Sequence, residues 1–407
     1  MVSRRAALAG GAVAFGALGV GAGSRYRPGM DPREPPVDAW PMVGYGPSGT
    51  AANADASLPA SPGSAWSTRP LNGIYPNGLV ADAERVYAAG DGVAALDRRD
   101  GATAWTGDGD IGGPAALAGG SLYVAPGDSV RGVGQAVVAL DARSGDRRWT
   151  ALSVAEATSV LVADGSLFVG TESGLSGLDG SDGDERWSVT EPYEPIPVVA
   201  GGRLYAAEGS PGSLGETVAF RRRSGTDIAL GRAPSVAWER DHDAYPLGAA
   251  ATDEHVLVGL SRSTAAAAGP VLLCHDRESG RVEWRVTAPE GSGDEPARGG
   301  PLAVSGGRCV AGYGDRDVVS GTDAVVCRRV EDGEPLWQVG TDGSVTDIAV
   351  VGDGVVFGTK NGIVRAVDLE TGADRWRFDF VVRVHALAPV DGTVFVASRS
   401  GRVAAVR

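Results

Sequence analysis

Lysine is almost absent from this 407-residue chain. Lys360 is the only one, and arginine supplies the rest of the 37 basic side chains. Acidic residues number 51, and the formal net charge is -14. A phosphate backbone demands a basic patch, so this balance excludes nucleic acid as the expected partner. Acidic, lysine-poor surfaces are a solubility device of salt-adapted proteins; GC-rich codon usage with ordinary acidity is the alternative source of the same counts. Either way the charge tunes solubility and not fold. Cysteine is scarce too. Cys274, Cys309 and Cys327 form no Cys-x-x-Cys and no Cys-x-x-Cys-His, so thiolate metal clusters and c-type haem attachment lack their ligands. The histidines His242, His255, His275 and His385 are scattered, with no pair at ligand spacing. Long patterns with a 3.6-residue period are missing after the first thirty residues.

What the chain has instead is glycine, 62 residues of it, and nine tryptophans. They fall in a repeated frame of Asp, Gly four residues later and Trp four after that: Asp97/Gly101/Trp105, Asp141/Gly145/Trp149, Asp179/Gly183/Trp187, Asp276/Gly280/Trp284 and Asp368/Gly372/Trp376. Gly333/Trp337 keeps the spacing with Arg329 at the Asp position. A period of about 40–50 residues marks a repeat architecture.

The N-terminus stands outside the repeat. Ser3-Arg4-Arg5 precedes a weakly apolar Ala/Gly/Val/Leu run, and residues 1–23 resemble a twin-arginine signal, with an uncleaved anchor as the alternative. Such a Gly- and Ala-rich run is a poor membrane span. Residues 24–63 read as a Pro-rich linker and a lead-in containing Trp40-Pro41-Met42. An exported, extracellular or cell-surface protein is expected, with membrane contact only through that first segment.

From Ser64 onward each unit carries short alternating strands, such as Arg85–Ala89, Ser166–Val169 and Thr393–Val396, separated by glycine turns. Four short antiparallel strands per unit is one propeller blade. Third strands end at Asp97, Asp141, Asp179, Arg221, Asp276, Arg329, Asp368 and Arg407, which gives eight blades. Fourth-strand tryptophans follow seven of them: Trp105, Trp149, Trp187, Trp238, Trp284, Trp337 and Trp376. The eighth lacks its fourth strand, and Trp66 lacks a blade. The sequence therefore predicts an all-β, eight-bladed β-propeller over 64–407, its ring closed by the strand around Trp66, which removes an exposed edge. A monomer is expected.

The residue types have physical reasons. Asp accepts backbone N–H bonds in an Asx turn, and Gly supplies positive φ. The eight tryptophans Trp66, Trp105, Trp149, Trp187, Trp238, Trp284, Trp337 and Trp376 are expected as docking wedges between blades. Ala95, Ala139, Ala219, Ala366 and Ala405, with Gly177, Cys274 and Cys327, stand two residues before the Asp position, and their small size is what the wedge needs. That explains two cysteines without chemistry. Cys309 and Cys327 fall on neighbouring strands, so a disulfide there is one expectation and buried free thiols the other.

Ala-x-Asp-x-x-Thr-Gly-x-x-x-Trp, complete at Ala366–Trp376, resembles the tryptophan-docking motif of the quinoprotein-like PQQ-repeat family of eight-bladed propellers. The Trp40-Pro41 stretch is similar to the lead-in that precedes the repeats there. The resemblance implies one of two things: a PQQ-dependent alcohol or sugar dehydrogenase, or a non-enzymatic scaffold like the lipoprotein of the outer-membrane barrel assembly machinery. The dehydrogenases carry a Trp floor under the quinone, a Cys-Cys ring, a calcium held by Glu, Asn and Asp, and an Asp base. No Cys-Cys exists here, and Asn53, Asn72, Asn77 and Asn361 sit in leader or turn positions. No cofactor is therefore expected, with PQQ plus calcium as the alternative. Weaker candidates are a metal at Asp241-His242-Asp243-Ala244-Tyr245 and calcium at Asp179–Glu185, which lacks the terminal Glu of a calcium loop. Gly132-Val133-Gly134 has no strand–helix context for phosphate. Partner surfaces are expected in blade 4, where Arg221 replaces the Asp and Thr226–Val236 is inserted, and in Thr264–Gly269 and Ala288–Ala297. The expected function is an exported scaffold, not an enzyme, that binds an unidentified protein or small ligand through loops and an axial funnel.

Overall fold

Buried and half-buried strands read differently along this chain, and the difference sets the architecture. The second strands are buried on both faces, as in Gly354–Thr359 and Thr393–Ala397. The fourth strands alternate, as in Val282–Thr287 and Pro335–Gly340, where every second residue is exposed. A strand covered on both faces reads as a continuous apolar run, and one at the rim alternates. In the computed structural model of the chain, this pattern becomes a ring of eight four-stranded antiparallel blades with no helix among the described residues. The structure describes residues 35–107, 112–125, 136–152, 157–171, 174–190, 196–209, 215–221, 234–242, 244–261, 270–287, 299–314 and 323–407.

Blade 1 runs Ile74–Ala81, Arg85–Gly90, Gly92–Asp97 and Thr103–Gly107, from the axis outward. Inner strands touch their neighbours all the way round, and blade 8 touches blade 1 through Ala386–Val390 and Ile74–Ala81. Blade 8 takes its fourth strand, Ser64–Thr68, from the N-terminal side of the chain, with Trp66 opposite Ala405. The ring is closed where the sequence predicted.

Across each blade the same row recurs. Tyr87, Ala95 and Trp105 stand side by side on one face, as do Tyr205, Ala219 and Trp238, and Phe395, Ala405 and Trp66. The small middle residue lets the indole lie over the strand, and tilted aromatic contacts of 5.9–6.0 Å complete it. At Gly177 even a methyl group would meet Trp187 at 2.3 Å.

The register rules out one expectation. Cys309 pairs with Arg328 and Cys327 with Val310, an offset of one residue. A one-residue offset puts two side chains on opposite faces. Cys309 packs with the blade 5 side and Cys327 with the blade 7 side, and both are buried free thiols.

Residues 35–57 are not a bare linker. They lie across the C-terminal ends of the inner strands as a strap that makes one circuit of the ring. Val37 accepts from Asp391 of blade 8, Trp40 exchanges two bonds with Ala81 of blade 1, and the Pro41 carbonyl accepts from Leu117 of blade 2. The carbonyls of Pro47, Ser48, Thr50 and Ala51 then accept from Val199, Ala251, Val304 and Val350 of blades 4 to 7, at 2.6–2.9 Å. Ser57 returns to Gly392 of blade 8. The inner-strand N–H groups at this mouth thus find acceptors in the strap. Asn53, 1 % exposed, ties the circuit to its own start by donating to the Val37 carbonyl at 2.8 Å.

Candidate functional site

Each docking tryptophan reaches into the turn of the next blade, and the turn chemistry explains why it can. In Asp368–Gly372 the Asp368 carboxylate accepts the N–H groups of Glu370 and Thr371, and the Gly372 N–H bonds the Asp368 carbonyl. Gly372 has φ +71, and the space where its side chain would be is filled by the Trp337 ring, whose Cδ2 lies 2.8 Å from an ideal Cβ. The Trp337 Nε1 donates to the Leu369 carbonyl at 2.9 Å. The same bond joins Trp66 to Arg98, Trp105 to Ala142, Trp149 to Gly180, Trp238 to Arg277 and Trp284 to Val330. Trp187 is buried, and Arg222–Gly225, the turn it faces in the frame, lie outside the described residues. Trp376 is buried, and its Nε1 has no hydrogen-bond partner among the described residues.

In blades 2, 3 and 7 an arginine just before the Trp closes on the turn Asp: Arg148 on Asp141, Arg186 on Asp179 and Arg375 on Asp368, at 2.6–3.0 Å. The Arg148 and Arg375 bonds hold the Asp141 and Asp368 carboxyls down at about 2. Asp179 spends its oxygens on Ser181 and Arg186, so the calcium-loop candidate is a repeat turn.

The candidates around His242 separate. His242 ends the strand Ser235–His242 and is 4 % exposed between blades 4 and 5, 2.6 Å from the Thr217 hydroxyl. Its ring is tilted against His275, which stacks on Trp238. Burial pushes His242 down to about 4 and His275 down as well. The imidazole packs between blades and does not stand on a loop, while Asp241 on the other side of the strand lies within 4.8 Å of the Glu216 and Glu239 carboxylates. Asp243, Gly132–Gly134, Thr264–Gly269, Ala288–Ala297 and most of Thr226–Val236 lie outside the described residues.

A concavity opens on the strap side. A groove of about 1430 Å³ runs from the strap residues Pro47, Ser48 and Thr50 past the hairpin turns of blades 4 to 6. Its charged lining is Asp253, Glu254, Glu283, Glu331 and Glu370 against Arg308, Arg329 and His255, with Leu336 as an apolar rim residue. Arg308 pairs with Glu370 across blades 6 and 7. His255 and Glu283 meet at 3.0 Å, with Cys274 buried beside them. Neither the strap contacts nor this trio was apparent beforehand. The signal for the trio was present: Glu283 stands at the position before the Trp, where blades 2, 3 and 7 carry arginine.

All nine tryptophans now have places: Trp40 in the strap and eight on fourth strands. None is left to floor a quinone over the axis, and no Cys-Cys exists in the sequence. The residues described here do not match the quinone-binding set that the PQQ-repeat resemblance implies.

Comparison with known proteins bears out the architecture. BamB from Moraxella catarrhalis is similar at 19 % identity and TM-score 0.60, over 85 % of this chain and 97 % of that one. Quinohemoprotein alcohol dehydrogenase from Comamonas testosteroni is similar at 16 % identity and TM-score 0.66, over 91 % and 80 %. The computationally designed Ika8 protein is similar at 14 % identity and TM-score 0.67, over 84 % and 98 %. At these identities the likeness is one of fold. No curated protein sequence matches. Residues 89–244 and 268–407 match the model of the PQQ_2 family, described as outer membrane protein assembly factor BamB, and the chain belongs to that family.

Proposed function

We propose that the protein is an exported, non-enzymatic PQQ-like propeller that holds a protein partner in the groove on its strap face. The observation that carries this reading is the use of every tryptophan in the scaffold, together with a groove bordered by the strap that circles one mouth of the ring. The groove is therefore taken as the binding surface. The groove has five carboxylates against two guanidiniums and one imidazole, so the fitting partner is a segment rich in arginine or lysine. The family name supports a protein-binding role, and the partner of a barrel-assembly factor is not carried over with it. Residues 1–23 serve as the export signal or anchor, 24–63 as the lead-in and strap, and 64–407 as a monomeric propeller. The acidic surface keeps the folded protein soluble at high salt.

The competing reading is a PQQ-dependent dehydrogenase with divergent ligands, and one titration separates the two. Purified protein is mixed with PQQ and Ca²⁺, and dye reduction is followed with alcohols and sugars while the thermal midpoint is recorded. The scaffold reading expects no turnover and no shift. Saturable PQQ binding with dye reduction would replace it by the enzymatic one.

A further inference from the structure

The repeat supplies its own control for what the fold requires at any position. Take three sites in a blade: the first residue of the second strand, the small residue opposite the Trp, and the residue before the Trp. In blade 7 they are Gly354, Ala366 and Arg375; in blade 3 they are Ser166, Gly177 and Arg186. Blade 5 has His255, Cys274 and Glu283 there. His255, Cys274 and Glu283 bring a nitrogen, a sulfur and an oxygen donor to one spot, a set that blades 3 and 7 lack at the same positions. Blade 6 also has a cysteine, Cys327, yet its companions are Arg308 and Leu336, which offer no second ligand.

The geometry brings these donors together. His255 lies opposite Asp276 and Leu257 opposite Cys274, so the imidazole and the thiol share a face one step apart. The register slips between Cys274 and His275, which leaves Glu283 unpaired in a bulge beside them. The His255 nitrogen, the Cys274 sulfur and a Glu283 oxygen all lie within 4.8 Å of one another. His255 Nε2 is 3.0 Å from Glu283 Oε2, and Arg281 donates to the other Glu283 oxygen at 3.3 Å. The thiol's hydrogen bond, 3.9 Å to the Val330 carbonyl, is long and weak. His255 and Glu283 line the groove, while Cys274 is buried behind them.

We infer that His255, Cys274 and Glu283 form a binding site for a divalent transition metal of the zinc class, with its fourth position open to the groove. One sulfur, one nitrogen and one oxygen suit zinc, whereas calcium and magnesium take all-oxygen sets. Metal–ligand bonds of about 2.0–2.3 Å in a tetrahedron place donors roughly 3.3–3.8 Å apart, so the cluster needs only a small contraction. Binding releases the Cys274 proton to solvent and requires an unprotonated nitrogen on His255 as the ligand. Three protein ligands leave room for water or for a donor from whatever enters the groove. The inference does not depend on a protein partner.

Cobalt is the probe. The full chain, stripped with chelator, is titrated with Co²⁺. The expected result is one equivalent bound, with a thiolate-to-cobalt charge-transfer band in the near ultraviolet and tetrahedral bands in the visible, all bleached by Zn²⁺ and untouched by Ca²⁺. Cys274→Ala installs the residue that five other blades carry at this position, so the variant keeps its fold, as circular dichroism will check. It should lose the charge-transfer band. Glu283→Gln should keep the band and weaken binding about tenfold or more. Absence of the band from the wild type, or its persistence in Cys274→Ala, overturns the site.

Discussion

The interblade lock can be dissected by adding single methyl groups at two glycines. Gly372 and Gly392 both have left-handed backbones, with φ of +71 and +67. They differ in what surrounds them. A Cβ at Gly392 meets nothing within 4 Å, whereas one at Gly372 would lie 2.8–3.1 Å from three atoms of the Trp337 ring. Gly392→Ala therefore reports backbone strain alone, about 1–2 kcal/mol. Gly372→Ala carries the same strain and also drives the indole out of its seat, stretching the 2.9 Å bond to Leu369. Overpacking adds about 1–3 kcal/mol, for a total of roughly 2–5 kcal/mol. Denaturant midpoints of the two variants, followed by circular dichroism with slopes unchanged from wild type, measure the difference. If the two substitutions cost the same, the ring is not wedged by the tryptophan and the docking account fails.

Three further outcomes follow from the same contacts. Trp337→Ala should cost about 3–5 kcal/mol in the same denaturation experiment, since the cavity cannot be refilled by neighbouring blades. Asn53→Ala removes the buried tie to Val37 and should cost about 1–3 kcal/mol, with faster hydrogen exchange at Val199, Ala251 and Val304 as the strap loosens. Asp347 sits where the inner strands of blades 7 and 8 meet, and burial pushes its carboxyl up to about 7 although Leu387 and Ile348 donate to it. A raised carboxyl favours the folded state when protonated, so its contribution is full below about pH 4 and is lost as pH rises through 7. The stability of Asp347→Asn relative to the wild type should accordingly rise by about 1–3 kcal/mol between pH 4 and pH 8, since the amide removes the ionisation while keeping one of the two acceptor oxygens.

Much of the ring was legible because its signals are side chains at fixed spacing. The Asp–Gly–Trp frame counted the blades, and the unpaired Trp66 fixed the closure. The small residues at Ala95 or Gly177 were visible as a set before their place opposite the indole was known. The strap was not legible, for a physical reason: it binds through the carbonyls of Pro41, Pro47, Ser48 and Thr50, and backbone acceptors leave no mark on sequence. The aromatic partners Tyr87, Tyr123 and Tyr205 looked like ordinary strand residues until register placed them beside a Trp. Register also decided the cysteines, since a single-residue offset between Cys309 and Cys327 separates them across a sheet. The His255–Cys274–Glu283 trio spans three strands, so no linear motif could reveal it. Only blade-by-blade alignment exposes Glu283 as the odd residue.

The central claim, that the groove is where a protein partner binds, is tested most directly by photocrosslinking from within it. A photoreactive side chain is placed at Glu331, in the groove, or at Thr106, on the outer strand of blade 1, in cells that express the full chain. The account predicts one discrete crosslinked species from position 331, abolished when Asp253 and Glu254 are changed to lysine, and none from position 106. Equal crosslinking from both positions, or none from the groove, would contradict it.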